Sequence, residues 1–213
     1  MSITLIIVII TCIVSISAFS NSKIYDDLIF YPPSVTYQRQ WYRFFSCGFI
    51  HADFLHLAFN MYALYTFGGM VEGRFIALFQ EKGKLLYLLM YISALPVCLL
   101  PTYSKHKDDA SYRSLGASGA VSAVIFAFIM LLPLQQLGLL FIPIYIPGFI
   151  FGLLFLAISS YLDKRGGGRI NHSAHIWGGL YGIIFLMITG FAFAQRNLLL
   201  EMVSQIHRWI DSF

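Results

Sequence analysis

The chain has 213 residues, 58% of them hydrophobic and 11% charged, with a net charge of +4. A soluble domain carries about a quarter charged residues, so this composition cannot cover a surface in water, and a mean hydropathy of +0.73 points to one domain that crosses a membrane several times. No Lys/Arg run or aromatic-basic interleaving supports nucleic acid as a partner, and the scattered Cys12, Cys47 and Cys98 argue against a disulfide framework or a thiolate zinc site.

Ile3 to Phe19 is a continuous apolar stretch with no Lys or Arg before it, which predicts a retained first helix rather than a cleaved leader. Asn21 to Asp53 is the longest connection. Its Tyr25, Tyr31, Tyr37, Trp41, Tyr42, Phe44 and Phe45 suit the membrane–water boundary, and Pro32-Pro33 prevents a continuous helix through it. A second helix is predicted from about Phe54 to Phe79. A third starts after Lys84 and ends near Pro101, kinked at Pro96, with Tyr103 to Arg113 as a polar loop. A fourth runs from about Gly116 to Leu132 and stops at Pro133. After a charge-free connection with Pro143 and Pro147 comes a fifth, from about Gly148 to Leu162. Asp163 to Arg169, with Gly166, Gly167 and Gly168, reads as a flexible exposed loop. The sixth helix spans about Asn171 to Phe193, and residues 194–213 form a short amphipathic tail along the membrane surface. Six spans of ~20 residues would take up about 120 residues.

Polar groups inside spans are costly, so each is a functional candidate. In Leu115-Gly116-Ala117-Ser118-Gly119-Ala120, small residues flank one serine where a loop enters a span. Gly116 and Gly119 let a substrate backbone approach the hydroxyl, and the helix N-terminus offers unpaired N–H groups to a developing oxyanion. The same pattern also serves tight helix packing. In Asn171 to Gly182, Ala174, Gly178 and Gly182 recur every four residues as a smooth face, and His175 stands beside it. Such a histidine can take a proton from a group on the partner helix, or simply hydrogen-bond a carbonyl. His56 and Asn60 lie four apart on one helix face and offer two directed donors. They also fit a polar packing seam, or a metal site with His51 and His172 or His175, although no HExxH accompanies them. Together these are the parts of acyl-transfer catalysis, and with no acid placed to orient His175 a Ser–His dyad is expected.

Gly116-Ala117-Ser118-Gly119-Ala120 resembles the GxSG motif of the rhomboid family of intramembrane serine proteases. His56 to Asn60 resembles the family's HxxxN, and Ala174-His175 with Gly178 and Gly182 its AHxxGxxxG. Trp41-Tyr42-Arg43 looks like its Trp-Arg signature with one extra residue between, and Glu72 and Arg74 resemble its ExR element. The matches fall in family order from Trp41 to Gly182, within a core of about 41–193. The resemblance implies an all-α six-transmembrane-helix bundle with a long interfacial first loop and a short central fourth helix. Ser118 would be the nucleophile, His175 the base, and His56, Asn60 and the Ser118 N–H the oxyanion hole. It implies transmembrane protein substrates admitted beside helix five, the lipid bilayer as environment, and no metal or cofactor. It also implies a cell inner membrane with both termini cytoplasmic, although counting Lys and Arg across the loops favours the opposite orientation. One departure stands out. Many members carry an aromatic residue four positions after the nucleophile, against the catalytic histidine, where this chain has Ser122; Trp177, Tyr181 or another ring is expected instead. A non-catalytic escort of membrane proteins and a small transporter are the rival readings.

Overall fold

The computed structural model describes residues 1–139, 142–166 and 170–213. In chain order its helices are α1 (Ile3–Ser20), α2 (Ser22–Leu28), α3 (Pro32–Gln38), α4 (Arg43–Ser46), α5 (Phe54–Phe79), α6 (Gly83–His106) and α7 (Ser118–Leu131). A hairpin of β1 (Gln136–Leu139) and β2 (Ile142–Pro147) follows, then α8 (Gly148–Arg165), α9 (His172–Ala194) and α10 (Leu198–Ile210).

The sidedness of α1 is that of a membrane protein. Its buried face carries Thr4, Thr11 and Ser15, while Leu5, Ile9, Ile13 and Ile16 point outward. In water that arrangement would be inverted. Three helical stretches among the described residues are long and apolar enough to cross a membrane: Ile3–Ser20, the run Phe54–His106, and His172–Ala194. The middle run comprises α5 and α6, which fold back on each other at a 3₁₀ turn, Gln80–Lys82, so that Phe75 meets Tyr87 edge to face.

At the centre is α7. Every residue from Gly119 to Met130 is buried, as a helix apolar all round but for Ser122 requires, and α5, α6, α8 and α9 pack around it. Its 14 residues span about 21 Å, less than the ~30 Å of a hydrocarbon core.

Several sequence-based boundaries are corrected. The third predicted helix does not end near Pro101: α6 continues through Pro96 and Pro101 to His106. Neighbouring helices in a bundle tolerate the N–H that each proline lacks. The chain is not purely α-helical, because the connection after Pro133 holds the β1–β2 hairpin, paired antiparallel from Gln136 opposite Pro147 with a register shift at Gly138/Leu139. Isoleucines at 142, 144 and 146 alternate at the strand period. In the first loop, Pro32 opens α3 at the position where a proline's missing N–H costs nothing. Asp163 to Arg165 continue α8 instead of looping, and Gly166 ends it at φ 65°. The expected flexibility of Gly167, Gly168 and Arg169 lies outside the described residues.

Candidate active site

The approach of α9 to α7 is set by missing side chains. A Cβ on Gly178 would fall on the carbonyl oxygen of Gly119, and one on Gly182 would fall on that of Ala123. The Ala174–Gly178–Gly182 face therefore seats backbone to backbone on the Gly119–Ala123 face of α7. That contact carries His175 to Ser118: Nε2 lies 2.8 Å from Oγ. The expected nucleophile and base are brought together across 57 residues of sequence.

Gly116, at φ +113°, turns the chain sharply before α7, which is why the helix begins at Ser118 and not at Gly116 as predicted. A Cβ there would also press on the His56 ring, 2.8 Å from Cε1. The first intrahelical bond runs from the Val121 N–H to the Ala117 carbonyl (2.9 Å). The N–H groups of Ser118, Gly119 and Ala120 are thus left without an intrahelical acceptor. Behind Gly119, Cys98 of α6 and the Ala174 carbonyl close the wall.

The segment leading to Ser118 is held from several directions. Phe30 and Ser114 exchange backbone hydrogen bonds (3.0 and 3.1 Å), and the Gly116 N–H donates to the Cys47 carbonyl (2.9 Å). The Ala117 N–H donates to Nε2 of His51 (3.3 Å). Nε2 is then the acceptor, so Nδ1 carries the ring proton and donates to Ser15 Oγ (2.9 Å), whose hydroxyl donates to the Phe49 carbonyl (2.8 Å). Burial pushes the His51 pKa down to about 3, with His56 nearby adding to the effect; the ring is neutral, as the relay needs. Asn171 ties the other side. Its Oδ1 accepts the Ala174 N–H (3.0 Å) and caps α9, while Nδ2 donates to Thr102 Oγ1 (3.1 Å) and Ser114 Oγ (3.3 Å).

His56 packs edge to face on His51, ring centroids 4.9 Å apart. Asn60 is buried, and one hydrogen of its amide is committed to the His56 carbonyl (2.9 Å), leaving the second for another acceptor. The rings that neighbour His175 are Phe155 of α8, at 6.0 Å between centroids, and His172, at 5.7 Å. Neither named candidate serves: Trp177 is exposed, and the Tyr181 hydroxyl meets Ser93 Oγ at 2.6 Å. Ser122 is buried in α7. Among the described residues no carboxylate hydrogen-bonds to His175.

The remaining motif residues lie away from the serine. Arg43 is buried and stitches the first loop, donating from Nη1 to the carbonyls of Asp26 (2.8 Å) and Ile29 (2.7 Å) and from Nε to Gln40 Oε1 (2.5 Å). Glu72 caps α1, accepting from Ser2 Oγ (2.6 Å), the Ile3 N–H (2.8 Å) and the Thr4 N–H (3.0 Å). Its carboxylate meets the positive end of that helix. Arg74 parts company with Glu72: it stands on another face of α5 and lines a cavity with Leu78, Leu132 and Glu201. Sequence reasoning gave no positioning role to Ser15, His51, Cys98, Phe155 or Asn171. The signal for His51 was its place five residues before His56; Phe155 carried none.

A family model of the Rhomboid domain matches residues 38–191, which includes every one of these motif residues. Presenilin-associated rhomboid-like protein, mitochondrial, of Homo sapiens is 31% identical over 143 residues, and the Bos taurus protein of the same name is equally similar. In both, the match takes in 65% of this chain and 35% of the relative. Rhomboid-like protein 11, chloroplastic, of Arabidopsis thaliana is 29% identical over 156 residues, 70% of this chain and 52% of the relative. The chain thus spans about a third of the length of the mitochondrial relatives it matches.

Proposed function

The chain belongs to the rhomboid family, and we propose that it is an intramembrane serine endopeptidase that cleaves the transmembrane segments of other membrane proteins. The observation that carries this reading is the 2.8 Å contact between Ser118 Oγ and His175 Nε2 at the buried N-terminus of α7. A serine hydroxyl is a weak nucleophile until a base within hydrogen-bond reach takes its proton. In the proposed reaction Ser118 attacks the peptide carbonyl as His175 Nε2 accepts the proton. His175 then returns that proton to the leaving amine, leaving an acyl-enzyme. Water, deprotonated by the same imidazole, releases the acyl group and restores Ser118. The oxyanion would lie against the Ser118 N–H, the second amide hydrogen of Asn60 and the His56 ring, on the side where Gly116 leaves room. Backbone N–H groups at a helix start act there without reorganising. A dyad is proposed, with Phe155 and His172 confining the imidazole.

In this reading α1, α5, α6, α7, α8 and α9 are the six spans, and an even number puts both termini on one side of the bilayer. The sequence-based expectation of a cell inner membrane gives way to a broader placement, since the relatives above carry mitochondrial and chloroplastic names. A substrate helix must unwind before cleavage, because its carbonyls are hydrogen-bonded within the helix. We place its entry beside α8, the least enclosed of the helices around α7.

Labelling of the purified chain by a fluorophosphonate probe tests the proposal. The wild type should be labelled at Ser118, Ser118→Ala should not be labelled, and His175→Ala should react far more slowly. A membrane-protein escort of the same fold would show no labelling in any of the three. Cleavage of a transmembrane substrate by Ser118→Ala at the wild-type rate would end the assignment.

A further inference from the structure

At the end of α7 remote from Ser118, helices α5, α7 and α10 enclose a cavity of about 370 Å³. Leu78 and Leu132 form part of its apolar wall, and Arg74, Arg196, Glu201 and Gln205 its polar rim. A second groove of about 360 Å³ adjoins it, sharing Glu201 and Gln205 and adding Ser204 and Arg208. Residues 201, 204, 205 and 208 recur at helical spacing, so α10 turns one polar stripe onto the whole depression.

Charge in this depression is unbalanced. Glu201 is engaged by Arg196, through Nε at 2.8 Å and Nη2 at 2.5 Å. Three guanidiniums thus face one carboxylate, and Arg74 has no ion pair or side-chain hydrogen bond among the described residues. Beside the polar stripe, Leu200 and Val203 of α10 are exposed apolar residues. A ligand that satisfies both halves carries a phosphate at one end and hydrocarbon at the other. Guanidinium is the side chain whose planar fork matches phosphate oxygens in pairs, and basic pockets between spans at a membrane boundary suit anionic headgroups.

We propose that this depression is a site for a phosphate-bearing anion, filled in the bilayer by the headgroup of an anionic phospholipid, with Arg74 as its principal anchor and Arg208 as its second. The proposal is independent of the chemistry at Ser118. The α10 helix is then held to the bundle by a lipid as well as by its own packing, in which Phe149 meets Trp209 and Leu198 is buried against Gly190.

The test is native mass spectrometry of the full chain released from vesicles of equal phosphatidylglycerol and phosphatidylcholine. The wild type should retain phosphatidylglycerol in preference to phosphatidylcholine. Arg74→Gln and Arg208→Gln should each lower that preference by about fivefold, the contribution of one cation at an anionic surface. Lys105→Gln, at the opposite end of α6, should leave it unchanged. Gln205→Glu keeps Arg74 and adds a carboxylate, so it should give the same loss even if Arg74→Gln fails to fold. Inorganic phosphate at millimolar concentration separates the sources: if it displaces the lipid from wild type, the phosphate group alone is the recognised feature, and if it does not, the whole lipid is. No preference in the wild type, or a preference in Arg74→Gln and Gln205→Glu undiminished from that of the wild type, overturns the proposal.

Discussion

Gly178 lies against Gly119 so closely that a single methyl group on the first would occupy the position of the carbonyl oxygen of the second. The distance between α7 and α9, and with it the Ser118–His175 contact, depends on that missing group. Gly178→Ala should destabilise the fold by about 1–3 kcal/mol, as overpacking does. It should also cut the turnover rate about 100-fold, the order expected when reacting groups are displaced by an ångström. Gly69→Ala and Gly73→Ala provide the contrast, because a Cβ at either position meets nothing within 4 Å. Unfolding temperatures and cleavage rates of the three variants in one detergent check this. Equal behaviour would mean that α9 can slide without consequence.

The neutral state of His51 has a pH consequence. Its pKa is lowered from 6.5 to about 3, first by burial and then by His56, with Asp53 opposing. Between those values the unfolded chain binds a proton on this ring that the folded chain refuses. Stability is therefore full above about 6.5 and declines as pH falls toward 3. Comparing thermal unfolding of wild type and His51→Asn across that window isolates the effect, since other groups titrate in both. The wild type should lose stability more steeply; parallel curves would remove His51 from the account.

For the oxyanion, Asn60→Asp is more informative than truncation. It keeps the shape and the acceptor but removes both amide hydrogens, the one donated to the His56 carbonyl and the one left for the oxyanion. A loss of about 10²–10³ in kcat is expected for Asn60→Asp or His56→Ala, the usual cost of one such donor. Steady-state cleavage of a transmembrane substrate measures it. An unchanged kcat would place the developing charge on backbone N–H groups alone.

Ser118, His175 and the helix face that brings them together were legible as candidates because each depends on a local pattern. A serine between glycines and a small residue every fourth position can be read without knowing the fold. What holds the segment before Ser118 was not legible in the same way. Ser15, Phe30, Cys47, His51 and Asn171 come from four separate parts of the chain. Their roles exist only once the first loop folds back over the start of α7. The extension of α6 past Pro101 was missed because a proline's local cost is outweighed by packing that the sequence does not display. Arg74 was read together with Glu72 on sequence proximity, yet two residues along a helix point about 200° apart, so the pair divides between opposite duties.

Asn171 offers a way to separate helix capping from positioning. Its Oδ1 caps α9, whereas its Nδ2 reaches Thr102 and Ser114. Asn171→Asp keeps a strong capping oxygen and places a negative charge at the positive end of α9, but loses both donors. Asn171→Ala loses cap and donors together and should cost about 0.5–2 kcal/mol for the cap alone. If Asn171 only starts the helix, the aspartate variant will match wild type in stability and rate. If it also fixes the Ser114 segment relative to His175, the aspartate variant should unfold near the wild-type temperature yet lower kcat several-fold with KM little changed. That split is expected because the substrate still binds along the same walls, while the serine hydroxyl and the imidazole meet less often at reacting distance.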